Sequence, residues 1–197
     1  MSRSLSKYRV YILCEDTVQY HFIRGFLLAQ GIKSNRQIFL FTDLPEGSQS
    51  AEQFVRENFL DGFRAYARNQ ENVLFVVAQD IDFIDRKPED ARREMESILK
   101  DNGLEGIKKT DKLLLIYPKR NIETWFEWLQ MEHLQNTVDE SRDYKLKHRH
   151  AKPKELGEKA SKLFDKGDPD ICDSAPASIV YACKGFADLC LVLEDMD

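Results

Sequence analysis

The chain has 197 residues, of which 42% are hydrophobic and 32% are charged, and its formal net charge at pH 7 is −5. This composition predicts a globular protein of one domain, or one domain with an elaboration, and argues against a wholly basic nucleic-acid coat. No apolar run approaches 18 residues and no hydrophobic segment follows the N-terminal charges, so we expect a cytoplasmic protein. The spacing of the four cysteines favours reduced thiols over a zinc site or a disulfide framework. They are Cys14, Cys172, Cys183 and Cys190.

Strands and helices alternate along the first two thirds of the chain. Four apolar runs predict strands, at 8–14, 37–44, 74–78 and 112–117. Helices are predicted after each of them: one capped by Asp16 or Thr17 and closed by Gly31, one carrying Phe54, Phe59 and Phe63, one opening at Pro88, and one over 122–134. Such alternation is typical of an α/β fold with an open, mostly parallel sheet flanked by helices.

The chain changes character at about Gln135, where it becomes polar and basic. We expect this part to be partly irregular, followed by a final helix that starts after Ser174-Ala175-Pro176. That helix has an apolar stripe formed by Ile179, Cys183, Phe186, Cys190 and Leu193. The predicted organisation is therefore an α/β core over 1–134, and a basic segment with a C-terminal helix, packed on the core, over 135–197.

Carboxylates follow the ends of two predicted strands. Glu15 comes after the first strand, and Asp80 and Asp82 follow the third, where they project to the same side. Ligands of an open parallel sheet bind at the carboxyl ends of its strands, so the three acids converge if the two strands are neighbours. A bound Mg²⁺ or Mn²⁺ ion commonly offsets the repulsion among unpaired carboxylates, because these ions prefer oxygen ligands. For any single acid, a solvated loop or a helix cap is the alternative explanation.

Two stretches resemble the motifs of the Toprim domain, which occurs in topoisomerases, bacterial primases and the OLD family of nucleases. ILCEDTVQYHFIRGFL (12–27) is similar to its glutamate motif, and LFVVAQDIDFIDR (74–86) is similar to its Asp-x-Asp motif. The resemblance covers residues 8–134 and departs from the family pattern at Asp16, where many members have glycine. It implies a Toprim-like fold in which Glu15, Asp80 and Asp82 hold one or two metal ions. Alternatively, Glu15 acts as the general base instead of holding metal.

A third stretch, YPKRNIETWFEWL (117–129), resembles small stand-alone Toprim-like proteins from prokaryotic defence loci. EGSQSAEQFVRE and SAPASIVYAC are similar to segments of the same group, whose genes often neighbour an ABC-type ATPase. The resemblance implies Glu123 as an additional acid for a second metal ion, with Lys119 or Arg120 steadying negative charge on a phosphate. A glutamate near a helix start is also favourable without any ligand.

The resemblance implies a Mg²⁺-dependent nuclease that hydrolyses DNA or RNA, acting as an anti-phage defence effector with an ATPase partner. Glu15, Lys119, Arg120 and Glu123 are the predicted catalytic residues. The basic stretch YKLKHRHAKPK (144–154) fits phosphate contact without sequence readout, and a solvated loop is the alternative. Its predicted nucleic-acid-binding residues are Lys145, Lys147, Arg149 and Lys152.

Two other classes of protein compete with the nuclease. The first is a non-catalytic, Toprim-like regulatory or scaffold subunit that binds an ATPase partner. The second is a receiver domain, whose acid pocket also binds Mg²⁺, with Glu15-Asp16 imitating its first acidic pair. The Asp-x-Asp motif fits a receiver poorly, and 197 residues is long for one.

Overall fold

The computed structural model describes residues 5–45, 50–82, 85–131, 138–165 and 175–195. Its centre is a four-stranded sheet in the order β2-β1-β3-β4, with every neighbouring pair parallel. The strands are β1 (Arg9–Leu13), β2 (Ile38–Leu40), β3 (Val73–Ala78) and β4 (Leu113–Ile116). The predicted α/β class is therefore confirmed, and β1 and β3 are neighbours.

Six α-helices flank this sheet in the described parts of the chain. They are α1 (Thr17–Ala29), α2 (Ala51–Ala67), α3 (Pro88–Asp101), α4 (Glu123–Gln130), α5 (Pro153–Asp165) and α6 (Ala177–Glu194). A helix follows each strand, and this return path is what allows consecutive strands to run parallel. None of the described helices is long and apolar enough to cross a membrane.

The sheet separates two hydrophobic cores, because successive residues of a strand point to opposite faces. Leu74, Val76 and Ala78 of β3 pack into the core that also holds buried residues of α1, α4, α5 and α6. Phe75 and Val77 pack into the core formed with α2 and α3. Both faces are covered, which explains why β3 is a continuous apolar run rather than an alternating one.

Helix α5 lies in the stretch that we expected to be partly irregular. It packs against α1 at a very close approach that requires glycine on both helices. A Cβ atom on Gly25 would lie 2.1 Å from the Lys154 carbonyl oxygen, and one on Gly157 would lie 2.0 Å from the Phe22 carbonyl oxygen. Pro153 at the first helical position and the spacing of Leu156, Ala160 and Phe164 are the sequence signals of this helix.

Several predicted boundaries differ from the structure. The second strand has three residues instead of the predicted run over 37–44. The final helix buries Ile179, Phe186, Cys190 and Leu193 as expected, whereas Cys183 is half-buried. The helix predicted over 122–134 ends at Gln130, and Met131 is already extended. Cys172 and the predicted cap at Ser174 lie outside the described residues.

Candidate functional site

Glu15 and Asp80 are in contact at one edge of the sheet. Strands β1 and β3 are parallel, with Leu13 beside Val77, so the segments that leave them run side by side. The backbone N–H of Asp80 donates to Oε1 of Glu15 at 3.0 Å. Both residues are buried, with 7% and 5% of their surface exposed. Two acids that are 65 positions apart in sequence are thus in direct contact at the carboxyl ends of neighbouring strands.

Gln19 holds both acids in place. Its side-chain nitrogen donates to Oδ1 of Asp80 at 2.8 Å, and its side-chain oxygen accepts the backbone N–H of Glu15 at 3.0 Å. Asp16 caps α1 by accepting the backbone N–H of Gln19 at 2.8 Å. We did not predict Gln19 as a site residue, although the Asp-x-x-Gln pattern is a known signature of a capped helix start.

Burial and mutual repulsion disfavour the ionised forms of both acids. Burial raises the pKa of Glu15 to about 8, and the charges of Asp16 and Asp82 act in the same direction, against the hydrogen bond from the Asp80 backbone. Burial, followed by repulsion from Glu15, raises the pKa of Asp80 well above its usual range. Within the described ranges, no lysine, arginine or histidine forms an ion pair with either acid.

The donor set of this pair suits a divalent cation. Oε1 of Glu15 and Oδ1 of Asp80 accept hydrogen bonds, and the other oxygen of each carboxylate has no hydrogen-bond partner in the part of the chain that the structure describes. Mg²⁺ usually binds through one or two carboxylates and completes its shell with waters and phosphate oxygens. The described residues contain no group of three or more His, Cys, Asp or Glu spaced to hold one metal ion. The pair therefore fits a hydrated ion, and the expected grouping of three carboxylates is not formed.

Asp82, the expected third acid, lies farther out and is exposed. Its backbone oxygen accepts from Nη1 of Arg120 at 3.2 Å, and the backbone N–H of Arg120 donates to the Ile81 carbonyl oxygen at 2.9 Å. Arg120 has a φ of 68°, a left-handed conformation that costs a non-glycine residue about 1–2 kcal/mol. The Lys119-Arg120 segment thus lies against the exit of β3, and strained backbone of this kind is often found at functional sites.

Glu123, the first residue of α4, is half-buried near the same edge. Burial raises the pKa of its carboxyl group, and the charge of Asp16 contributes to the increase. The structure therefore brings Glu123 within electrostatic range of the α1 start, but gives no hydrogen bond between Glu123 and Glu15 or Asp80 in the described chain.

The predicted nucleic-acid-binding residues do not form one uniform basic patch. Nζ of Lys147 lies 2.6 Å from Glu127, and Nζ of Lys152 lies 2.9 Å from Glu155. Arg149 is exposed, and its Nε donates to the ring of the adjacent His150 at 3.0 Å. Lys145 is exposed and forms no ion pair with a described acid. Two of the four cations are thus already engaged by neighbouring carboxylates.

A second pair of acids lies between α2 and α3, and we did not predict it. Glu52 lies in the first turn of α2, Glu94 lies on α3, and Arg86 from the β3–α3 connection bonds to both, with its Nη1 2.6 Å from Glu52. Arg56 is a second cation for this cluster, 3.6 Å from Glu52 and 3.2 Å from Glu94. Glu52 and Glu94 are 34 and 8 positions away from Arg86 in the sequence, and such spacings do not predict a contact.

The fold and this edge define the molecule as an α/β protein with a buried, uncompensated acidic pair at the carboxyl end of a parallel sheet. No protein-family model, curated protein or solved structure matches the chain.

Proposed function

We propose that the protein is a Toprim-like, metal-dependent nuclease that hydrolyses phosphodiester bonds of DNA or RNA at this edge of the sheet. The observation that carries the proposal is the Glu15–Asp80 contact. The Glu15 carboxylate accepts the backbone N–H of Asp80, both side chains are buried without a described cationic partner, and the ionised form of each is disfavoured. Strongly perturbed acids at the ligand-binding edge of an α/β sheet are candidates for function.

Glu15 and Asp80 would hold Mg²⁺ or Mn²⁺ through their unpaired oxygens. Such an ion, when bound, polarises a phosphoryl oxygen and lowers the pKa of a coordinated water. Gln19 fixes the rotamer of Asp80 by its 2.8 Å hydrogen bond, so the carboxylate is oriented before any ligand arrives. Asp82, which is exposed beside this pair, is available as a further carboxylate.

Lys119, Arg120 and Glu123 have supporting roles in the proposal. The two cations lie at the exit of β3, where they would bind non-bridging phosphate oxygens and stabilise developing negative charge. Glu123 is half-buried and its pKa is raised, chiefly by burial, so its carboxyl group would serve in proton transfer or support a second ion. In a defence locus the nuclease would act together with an ABC-type ATPase.

The test is to incubate the protein with labelled single- and double-stranded DNA and RNA, in Mg²⁺, in Mn²⁺ or in chelator. We expect cleavage of at least one substrate that requires the cation, and a loss of about 100-fold or more in Glu15→Gln and Asp80→Asn. Asp43→Asn is the control, because Asp43 is an acid that follows β2 on the outside of the sheet. Equal cleavage by all three variants would refute the assignment of the acidic pair.

A second candidate function is the non-catalytic subunit that binds an ATPase partner. It is favoured by the closed hydrogen-bond arrangement in which Gln19 and the Asp80 backbone already satisfy one oxygen of each acid. This candidate predicts no cation-dependent cleavage of any of the substrates, whether the ATPase is present or absent. It also predicts that the partner is retained by Glu15→Gln as well as by the wild type.

A further inference from the structure

Residues 143–148, which we name the strap, lie along helix α4 and are fixed to it at both ends. At the first end, the Asn121 side chain, just before α4, donates to Oδ1 of Asp143 at 3.0 Å. At the other end, Nζ of Lys147 lies 2.6 Å and Nε2 of His148 lies 2.8 Å from the two carboxylate oxygens of Glu127. His148 and Asn121 are buried, whereas Asp143 and Lys147 are exposed, so each attachment has one partner that is shielded from water.

The two attachments of the strap flank Glu123, and the charge of Lys145 acts on Glu123. Glu123 lies four residues before Glu127, so both carboxylates are on the same side of α4. Asp143 is attached to Asn121, before Glu123, and Lys147 is attached to Glu127, after it. Lys145 is midway in sequence between Asp143 and Lys147. Its backbone N–H donates to Oδ1 of Asp143 at 2.8 Å, which fixes the turn of the strap at this point.

The charge of Lys145 acts on two acids of the edge that holds Glu15, Asp80 and Glu123, which we name the acidic edge. It acts to lower the pKa of Glu123 and of Asp80, against the burial that raises the pKa of each. Its ammonium group forms no ion pair with an acid in the described chain, whereas Lys147 and Lys152 are held by Glu127 and Glu155. Lys145 is thus a cation within electrostatic range of both acids and without an ion-pair partner among the described residues.

We propose that Lys145 is a phosphate-binding residue of the acidic edge, positioned there by the strap, rather than one of several equivalent cations of a basic segment. The proposal rests on the proposed function, since it names the residue that binds the substrate phosphate there. A phosphodiester placed beside Glu15 and Asp80 would present its non-bridging oxygens to this ammonium group. In the absence of substrate, the same positive charge opposes the binding of a divalent cation.

The experiment compares Lys145→Gln with Lys145→Arg and with the control Lys154→Gln, which removes a cation of the same segment that pairs with Glu158 and is not one of the predicted binding residues. Calorimetry measures Mn²⁺ binding, and a single-turnover assay measures cleavage of whichever labelled substrate the wild type cleaves. Removing a positive charge near the acids should tighten Mn²⁺ binding of Lys145→Gln by about fivefold. The same variant should lose about 30-fold in cleavage rate, because a phosphate-stabilising cation is absent. Lys145→Arg should restore most of that rate, and Lys154→Gln should match the wild type in both measurements.

Glu127→Gln tests the strap itself, since it weakens the attachment of Lys147 and His148 while leaving Lys145 in the chain. It should reproduce part of the loss of cleavage seen in Lys145→Gln. If the wild type binds Mn²⁺ and cleaves, equal behaviour of Lys145→Gln and Lys154→Gln would overturn the assignment of Lys145 and leave the proposed function intact. A wild type that neither binds Mn²⁺ nor cleaves would refute the proposed function itself.

Discussion

Two pairs of acids lie near the carboxyl edge of the sheet, and among the described residues only one of them is neutralised by arginine. Glu52 and Glu94 are bridged by Arg86 and approached by Arg56. Glu15 and Asp80 are more deeply buried and have a glutamine in place of an arginine. The charge of Glu52 also acts to raise the pKa of Glu15, so the two pairs are close enough to interact.

The Glu52–Glu94 pair stabilises the packing of two helices, whereas the Glu15–Asp80 pair disfavours the folded state. An arginine between two glutamates joins α2 to α3 and offsets the cost of partial burial. Glu15 and Asp80 have no such arginine among the described residues, and Gln19 orients them without neutralising them. Unneutralised buried acids are destabilising unless a ligand is bound, and this is the physical reason for assigning function to the first pair and packing to the second.

The largest expected effect comes from removing the compensating cation. Arg86→Ala should destabilise the protein by about 3 kcal/mol, because it leaves the shielded Glu52 and the more exposed Glu94 with only the half-exposed Arg56 as a described cation. The side chains of Arg86 and Glu52 are only 11% and 15% exposed, so water screens the pair weakly. Urea denaturation monitored by circular dichroism measures the change in the free energy of unfolding.

Arg93→Ala is the matched control for this variant. Arg93 lies on the same helix as Glu94, pairs with Asp90 and has 73% of its side chain exposed. Exposed ion pairs contribute about 0–1 kcal/mol, so little should change. Equal effects of the two variants would show that Glu52 and Glu94 do not need a neutralising arginine, and the contrast between the two pairs of acids would be lost.

The second effect is a pH dependence carried by the uncompensated pair. An acid whose pKa is higher in the folded than in the unfolded state binds its proton more tightly when folded, so stability from this group falls as pH rises. For Glu15 the window runs from about 4.5, the ordinary value, to about 8. Wild type should be less stable at pH 8 than at pH 5.5 by about 2 kcal/mol through this pair.

The double variant Glu15→Gln, Asp80→Asn should lose this dependence and be more stable than wild type at the upper end of that window. Urea midpoints at several pH values between about 5.5 and 8 measure the slope for both proteins. Asp43→Asn, which removes one charge outside the pair, should keep the wild-type slope. A double variant with the wild-type slope would show that burial and mutual repulsion of Glu15 and Asp80 do not cause the pH dependence.

The smallest effect on stability is expected for Glu123→Gln, at about 0.5 kcal/mol or less, since this half-buried residue at a helix start has no described hydrogen bond with another side chain to lose. Its effect on single-turnover cleavage should be large if it serves the acidic edge. Thermal unfolding beside the cleavage assay separates the two roles. Marked destabilisation with retained cleavage would make Glu123 a helix-start residue.

The sequence was informative wherever a short-range rule applied. The alternation of apolar runs with helical stripes predicted the parallel α/β sheet. Asp16 or Thr17 was predicted as the helix cap, because capping depends on residues three positions apart, and the cap is Asp16. The position of Glu15 and Asp80 at strand ends followed from the same local pattern. Helix α5 was missed although its signals are local, because the charge of 144–154 dominated the interpretation of that region.

Only the tertiary structure decided which charges meet. The strand order brought Glu15 to Asp80 and gave Asp82 an outward position, while helix packing brought Arg86 to Glu52 and the strap to α4. Gln19 acquired its role because α1 passes over the end of β3. Backbone periodicity depends on neighbours within a few residues, whereas the pairing of charges depends on chain crossings set by the whole core, and for that reason the first could be predicted and the second could not.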